Sequence, residues 1–231
     1  IGVSGSYYYL LLNGKKAVAD FPLNEKEMKC YMIFNCPIAH PTAIVRNSVI
    51  RDENLQYRNE YAHSEDFDLW SRISEKHELA NVPDILLNYR VHSNQITGNI
   101  HLADQRYKSV NTLRGRHLEK MGVTPAADEV KIHDLVSDGR KAESQTELHL
   151  AEQWLKKLVS ENDKHQKLDK HSFEKIILER WLRMCFNYYG GAKGLSFFYS
   201  SSLNKMISLP LSSKLELIKT LYNSWKRLKI K

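Results

Sequence analysis

Glu65 and Asp66 are the side chains best suited to chemistry in this sequence. They form a pair of adjacent carboxylates in the run Ser64-Glu65-Asp66-Phe67-Asp68-Leu69-Trp70. A carboxylate held on a rigid element at the edge of a core can serve as a general base, taking the proton of a hydroxyl as its oxygen attacks. The same residues have a purely structural use. Ser64 is a favourable N-cap, and acids in the first turn of a helix are stabilised by its dipole. Local sequence allows both uses, so the flanking residues have to decide between cap and base.

The elements that would position this pair follow from periodicity. Phe67, Trp70 and Ile73 recur at helical spacing, which predicts a helix over about 65–77 with one face anchored in a core. Tyr7–Leu12 reads as a strand closed by Asn13-Gly14, with Ala17–Phe21 as its partner. Leu23–Phe34 is helix-like, with Met28, Tyr31 and Met32 in register, and Asn35-Cys36-Pro37 ends it. Thr42–Val45 is a short strand candidate. Leu79–Val82 and Ile85–Val91 read as a second strand pair joined at Pro83-Asp84. From about residue 104 onward strand patterns vanish. Helices are predicted over about 103–121, 127–138, 144–162, 172–189 and 213–229, and the Gly- and Ser-rich stretch 190–213 reads as an irregular connector.

Composition sets the outer bounds. The 231 residues are 42% hydrophobic and 26% charged, ordinary values for a globular chain with a substantial core. A net charge of +7 suggests anionic partners. The lysines and arginines are scattered, and no helix-turn-helix, RNA-recognition or zinc signature occurs, so nucleic acid is not an expected partner. Three cysteines, Cys30, Cys36 and Cys185, lack zinc-like spacing and fit a reducing compartment, with Cys30 and Cys36 expected as small buried hydrophobes. No apolar run approaches the roughly 18 residues that span a bilayer.

Several local signals then line up in one order. Ile1-Gly2-Val3-Ser4-Gly5-Ser6 comes first, followed by Ile38-Ala39-His40-Pro41-Thr42-Ala43-Ile44-Val45-Arg46. Glu65-Asp66-Phe67-Asp68-Leu69-Trp70-Ser71-Arg72 is next, and Asn81-Val82-Pro83 and Leu86-Leu87-Asn88-Tyr89-Arg90-Val91-His92-Ser93-Asn94-Gln95-Ile96 close the series. Over about residues 1–97 this ordered set resembles the C-terminal, acceptor-side half of the GT-A catalytic domain in bacterial family 2 glycosyltransferases.

The resemblance implies an α/β fold: part of a GT-A domain over 1–103, followed by a mainly α-helical extension over 104–231. It implies inverting transfer of a sugar from a nucleotide diphosphate to the hydroxyl of a glycan or lipid-linked acceptor, in bacterial surface polysaccharide or glycan synthesis. By the same resemblance Asp66 is the general base, and Glu65 positions the acceptor or tunes Asp66. His40 lines the acceptor cleft, and Trp70 is a further substrate-binding residue. Arg90 contacts a donor phosphate or braces the acidic helix, and His92 is an additional metal ligand. A Mn²⁺ or Mg²⁺ ion would absorb the charge of the leaving diphosphate. The main metal motif, Asp-x-Asp at a strand end, is expected upstream of Ile1 together with the nucleotide-binding half, so the fragment alone is expected to be inactive. Asp66-Phe67-Asp68 is not that motif, because no hydrophobic strand precedes it and a helix follows.

The helical half carries no nameable chemistry. Its last predicted helix collects Leu215, Ile218, Leu221, Tyr222, Trp225 and Leu228 on one face, with lysines and an arginine around the rest. Such a helix can lie on an anionic membrane or pack against the catalytic half. The location expected is cytoplasmic, with peripheral contact at the inner face of the membrane through 213–229. The rivals are a non-catalytic basic module that binds lipid headgroups or nucleic acid, and a catalytically inactive interaction domain.

Overall fold

The computed structural model describes residues 1–12, 14–91 and 100–229, and the chain divides into two compact units, Ile1–His117 and Leu118–Lys231. The first is an α/β unit. Its strands are β1 (Val3–Leu12), β2 (Lys15–Ala19), β3 (Ile44–Val45) and β4 (Leu79–Arg90). Its helices are α1 (Glu25–Tyr31), α2 (Asn47–Asp52), α3 (Glu65–Ile73) and the first part of α4 (Ile100–Met121), within which the division falls.

The sheet is mixed. β1 lies at its centre, antiparallel to β2 and β3 along one edge and parallel to β4 along the other. Its run of tyrosines and leucines suits a strand flanked on both edges. The parallel β1–β4 pair requires a crossover, and the segment from β2 to β4 supplies it with α1, α2 and α3.

Two corrections concern strands. Leu79–Arg90 is one continuous strand and not a pair turned at Pro83-Asp84. The register explains how it absorbs the proline. Val82 faces Ser6, Ile85 faces Tyr7 and Leu87 faces Tyr8, so Pro83-Asp84 and then Leu86 bulge out of the ladder. A proline has no amide to give to the ladder, and no glycine is present here for a tight hairpin turn. β3 is shorter than expected, because His40–Thr42 forms a 3-10 turn in front of Ile44–Val45.

The core of this unit lies beneath α3. Phe67, Trp70 and Ile73 are buried with Met28, Met32, Ile38, Val49, Tyr61 and Leu79. The predicted anchoring face of the acidic helix is therefore present, although the helix ends at Ile73, four residues early. Arg114 of α4 fixes the turn after α1. It is 3% exposed and donates through Nε to the Phe34 carbonyl at 2.6 Å and through Nη2 to Asn35 Oδ1 at 2.9 Å. Asn81 joins two further segments, its Nδ2 donating to the Pro22 carbonyl at 2.7 Å and the Pro37 carbonyl at 2.9 Å.

The second unit is helical: α5 (Ala127–Ser137), α6 (Gln145–His165), α7 (Lys170–Tyr189), α8 (Gly191–Ser200), α9 (Ser202–Met206) and α10 (Leu211–Lys229). α7 is the central element, burying Phe173, Ile177, Trp181 and Leu182. The stretch 190–213 is not an irregular connector, since it holds α8, α9 and the start of α10. Gly194 is helical because α8 crosses α7 closely there: a Cβ at that position would lie 2.7 Å from the Cys185 carbonyl oxygen. Ser201 caps α9 and also receives the Trp181 indole N–H at 2.9 Å. In α10, Leu217 and Leu221 are buried and the helix packs on α7, while Leu215, expected on the apolar face, is 53% exposed. No described helix is long and apolar enough to cross a membrane.

Candidate active site

Asp66 sits at the second position of α3, and the start of this helix differs from the predicted cap. Ser64 occupies the N-cap position, but its side chain makes no capping hydrogen bond and its hydroxyl oxygen is buried without a partner. The amide that Ser64 would normally take, that of Phe67, donates instead to Asp66 Oδ1 at 2.8 Å. The acid thus caps its own helix. That hydrogen bond fixes one carboxylate oxygen and turns the other, Oδ2, toward Cys36, whose Sγ lies 3.9 Å away. The residue before the cap, His63, has φ of 68°, a left-handed conformation that a non-glycine residue adopts at a cost.

Burial around Asp66 pushes its pKa above the ordinary carboxylate value. The Phe67 amide and the positive potential of His40 oppose that shift, and the charge of Glu65 adds to it. Glu65 is half-buried at the first position of the helix, next to Asp66. A carboxylate raised in this way is a stronger proton acceptor than a solvated one, which suits a general base.

Asp68 is committed elsewhere. It is 2% exposed, and its Oδ2 receives both Nε of Arg72 at 2.9 Å and Nη2 of Arg72 at 2.7 Å. Its Oδ1 lies 3.7 Å from Nη1 of Arg58. Arg72 also donates to the Gln56 carbonyl at 2.7 Å, so this acid ties α3 to the segment before it. Of the three acids in the first turn, one is buried in an ion pair and two remain at the helix start.

His40 and Trp70 come together with Asp66, but in different ways. His40 is exposed on the 3-10 turn after Ile38; its ring meets the edge of Trp70 at 6.3 Å and its Nε2 is 2.9 Å from the Tyr57 hydroxyl. Trp70 is 1% exposed, so it supports His40 from inside the core and offers no face to a substrate. That corrects its expected role as a substrate-binding residue. Its spacing with Phe67 and Ile73 had marked it as an anchor, and burial decides for that role.

Arg90 lies away from this cluster. Gly5 pairs with Asn81 and Leu11 with Arg90 across the parallel ladder, and six residues of strand at about 3.3 Å each separate the two positions by about 20 Å. Asn81 holds the Pro37 carbonyl beside Cys36, so Asp66 lies at the Asn81 end of the ladder and Arg90 at the other. His92 falls outside the described residues. Among the described residues no three His, Cys, Asp or Glu side chains converge as a metal site.

Two residues at the site went unmarked in the sequence. Cys36 was expected as a buried hydrophobe. It is half-buried, its S–H donates to the Ile38 carbonyl at 3.2 Å, and its sulfur shields Asp66 Oδ2. Burial, and then the charge of Asp66, holds its pKa well above the usual thiol value, so it is a neutral thiol and not a nucleophile. Tyr57 is half-exposed and reaches His40 from a segment with no regular structure. No periodic pattern around it could have signalled that contact.

The chain is 32% identical over 105 residues to a protein of Haemophilus influenzae described as an uncharacterized glycosyltransferase. The aligned stretch is 44% of this chain and 32% of that protein, so the chain matches about a third of its relative's length. No protein-family model matches the chain, and no solved structure matches it significantly. The similarity supports a relationship to glycosyltransferases at that coarse level.

Proposed function

We propose that this chain carries the acceptor side of an inverting glycosyltransferase of the GT-A, family 2 type, with Asp66 as its general base. The observation that carries this reading is the state of Asp66. It is a half-buried carboxylate with a raised pKa, one oxygen fixed by the Phe67 amide and the other facing the Cys36 thiol. The similarity to a protein described as a glycosyltransferase supports the reaction class.

In the proposed reaction an acceptor hydroxyl lies against Asp66 Oδ2. Its oxygen attacks the anomeric carbon of a nucleotide-diphosphate sugar while its proton passes to Oδ2. The bond from that carbon to the diphosphate oxygen breaks on the opposite side, and the diphosphate leaves with the electron pair, which inverts the centre. The helix start keeps Asp66 in place, and Cys36 excludes water from its reactive oxygen without competing as an acid. Glu65 keeps the local field negative, which favours proton uptake by Asp66.

Donor binding, a Mn²⁺ or Mg²⁺ ion and the role of His92 belong to the proposal only through the resemblance, and no step above is routed through the metal. The same holds for a role in surface glycan assembly, and for a cytoplasmic site of action with peripheral membrane contact through 213–229. The test is Asp66→Asn in the full-length protein, followed by release of nucleoside diphosphate from a panel of nucleotide sugars. Loss of transfer by a factor of about 10² or more is expected, with donor affinity nearly unchanged. Turnover within a few-fold of wild type would remove Asp66 as the base.

A further inference from the structure

We infer that Tyr57 is the specificity-determining platform of this site, presenting its ring face to a neutral pyranose whose hydroxyl is then set against the Glu65–Asp66 pair. This rests on the transferase reading for the identity of the reacting group, but the platform itself stands on geometry. Tyr57 is 50% exposed in a unit whose other large aromatics at this place, Phe67, Trp70 and Tyr61, are buried. Its hydroxyl is held by His40 Nε2 at 2.9 Å, and the two rings meet at 69° with centroids 5.7 Å apart. His40 in turn rests edge-on against buried Trp70, so the outermost ring of the series is fixed through the second by the third.

The chain of contacts has a consequence for binding. An exposed tyrosine with a free side chain loses rotamer entropy when a ligand packs on it, whereas one already fixed by a hydrogen bond loses little. The rings of His40 and Tyr57 make two walls of a corner, apolar on their faces. The carboxylates of Asp66 and Glu65 lie close enough to Tyr57 that, after burial, their charges raise the pKa of its hydroxyl. Apolar ring faces beside carboxylates match a sugar, which has an apolar C–H face and a rim of hydroxyl donors. A phosphorylated or carboxylated acceptor would be repelled by the two acids.

Two measurements test this separately from the transferase reading. In the first, the full-length protein, ¹³C-labelled at its tyrosine rings, is titrated with the methyl glycosides of glucose, galactose and N-acetylglucosamine. Saturable shifts of the Tyr57 ring with at least one glycoside are expected. Affinity should fall on the order of tenfold in Tyr57→Ala and stay within a few-fold in Tyr57→Phe, which keeps the face and loses the hydroxyl. The inference is overturned if no glycoside perturbs Tyr57, if Tyr57→Ala binds like wild type, or if Tyr57→Phe loses as much as Tyr57→Ala. The second measurement is transfer by the full-length protein. A raised acceptor KM with little change in kcat in Tyr57→Ala supports the platform. An unchanged KM overturns it. Glycoside binding that depends on Tyr57 in a protein with no transfer from any nucleotide sugar would sink the transferase reading and leave the platform standing.

Discussion

Replacing Asp68 with Asn should cost the protein far more stability than replacing Asp66 with Asn, although the two acids are two residues apart on one helix. Asp68 is 2% exposed and its Oδ2 is ion-paired with the Arg72 guanidinium, accepting a hydrogen bond from Nε, and the Arg72 side chain is 15% exposed. Removing one partner of a buried ion pair leaves the other charge uncompensated, at about 3–5 kcal/mol. Arg72 keeps its bond to the Gln56 carbonyl and some contact with water, so the lower end applies, about 3 kcal/mol. For a chain of this length that is a fall in Tm of about 6–12 °C.

Asp66 has the opposite sign. Burial raises its pKa in the fold above the reference value of 3.8. A carboxyl raised on folding adds stability only below its unfolded pKa, and that contribution is lost as pH rises through the folded value. At pH 7 the ionised acid is therefore a cost, and Asp66→Asn should be neutral or stabilising. Its advantage should shrink as the pH approaches 3.8, where the unfolded carboxyl is itself half protonated. Thermal unfolding of both variants at pH 7, with amide exchange across α3 as a local probe, measures the contrast. An Asp68→Asn variant within about 0.5 kcal/mol of wild type would refute the ion-pair argument. An Asp66→Asn variant less stable than Asp68→Asn would refute the division of roles between the two acids.

Other expectations are independent of catalysis. Gly5→Ala would place a Cβ 2.4 Å from Asn81 Oδ1 and 2.7 Å from Ile38 Cγ2, so it should cost about 1–3 kcal/mol in urea unfolding and loosen the segment that carries His40. An unchanged unfolding midpoint would show that this crossing is not tight. Gly194→Ala meets the Cys185 carbonyl at 2.7 Å, backbone that cannot swing aside, and should destabilise the helical unit by a similar or larger amount, read by the same method. The thiols of Cys36 and Cys185 have raised pKa values and Cys30 is fully buried, so iodoacetamide at pH 7.5 should modify none of the three until urea is added. Rapid native labelling of Cys36, seen by mass spectrometry, would contradict its shielded position beside Asp66.

What the sequence determined by itself is the set of elements whose burial is periodic. The spacing of Phe67, Trp70 and Ile73 marked a helix with one anchored face, and that face is in the core. The tyrosine–leucine run near the start marked a strand, extended in the structure back to Val3. Periodicity failed where a local rule had a tertiary competitor. Pro83 is a turn signal, but a parallel ladder with β1 holds the chain straight and expels the proline as a bulge. Glycine and serine at 190–213 suggested a loop, yet Gly194 is there so that two helices can touch.

Only the tertiary structure decided what surrounds Asp66. Ser64 is a favourable cap by type, but the Phe67 amide goes to Asp66, and no rule of local preference ranks the two. Asp68, two residues on, differs from Asp66 in being held by Arg72 and approached by Arg58. Cys36 lies 30 residues from Asp66 and Tyr57 lies 17 from His40, and neither separation has any period. The physical reason is common to all of these. Helix and strand patterns record which face of one element is dry, a property of neighbours in sequence. The desolvation and charge that make a carboxylate a base come from atoms that distant segments bring to it, and the β1–β4 crossover, together with the Asn81 and Arg114 ties, sets where those segments lie.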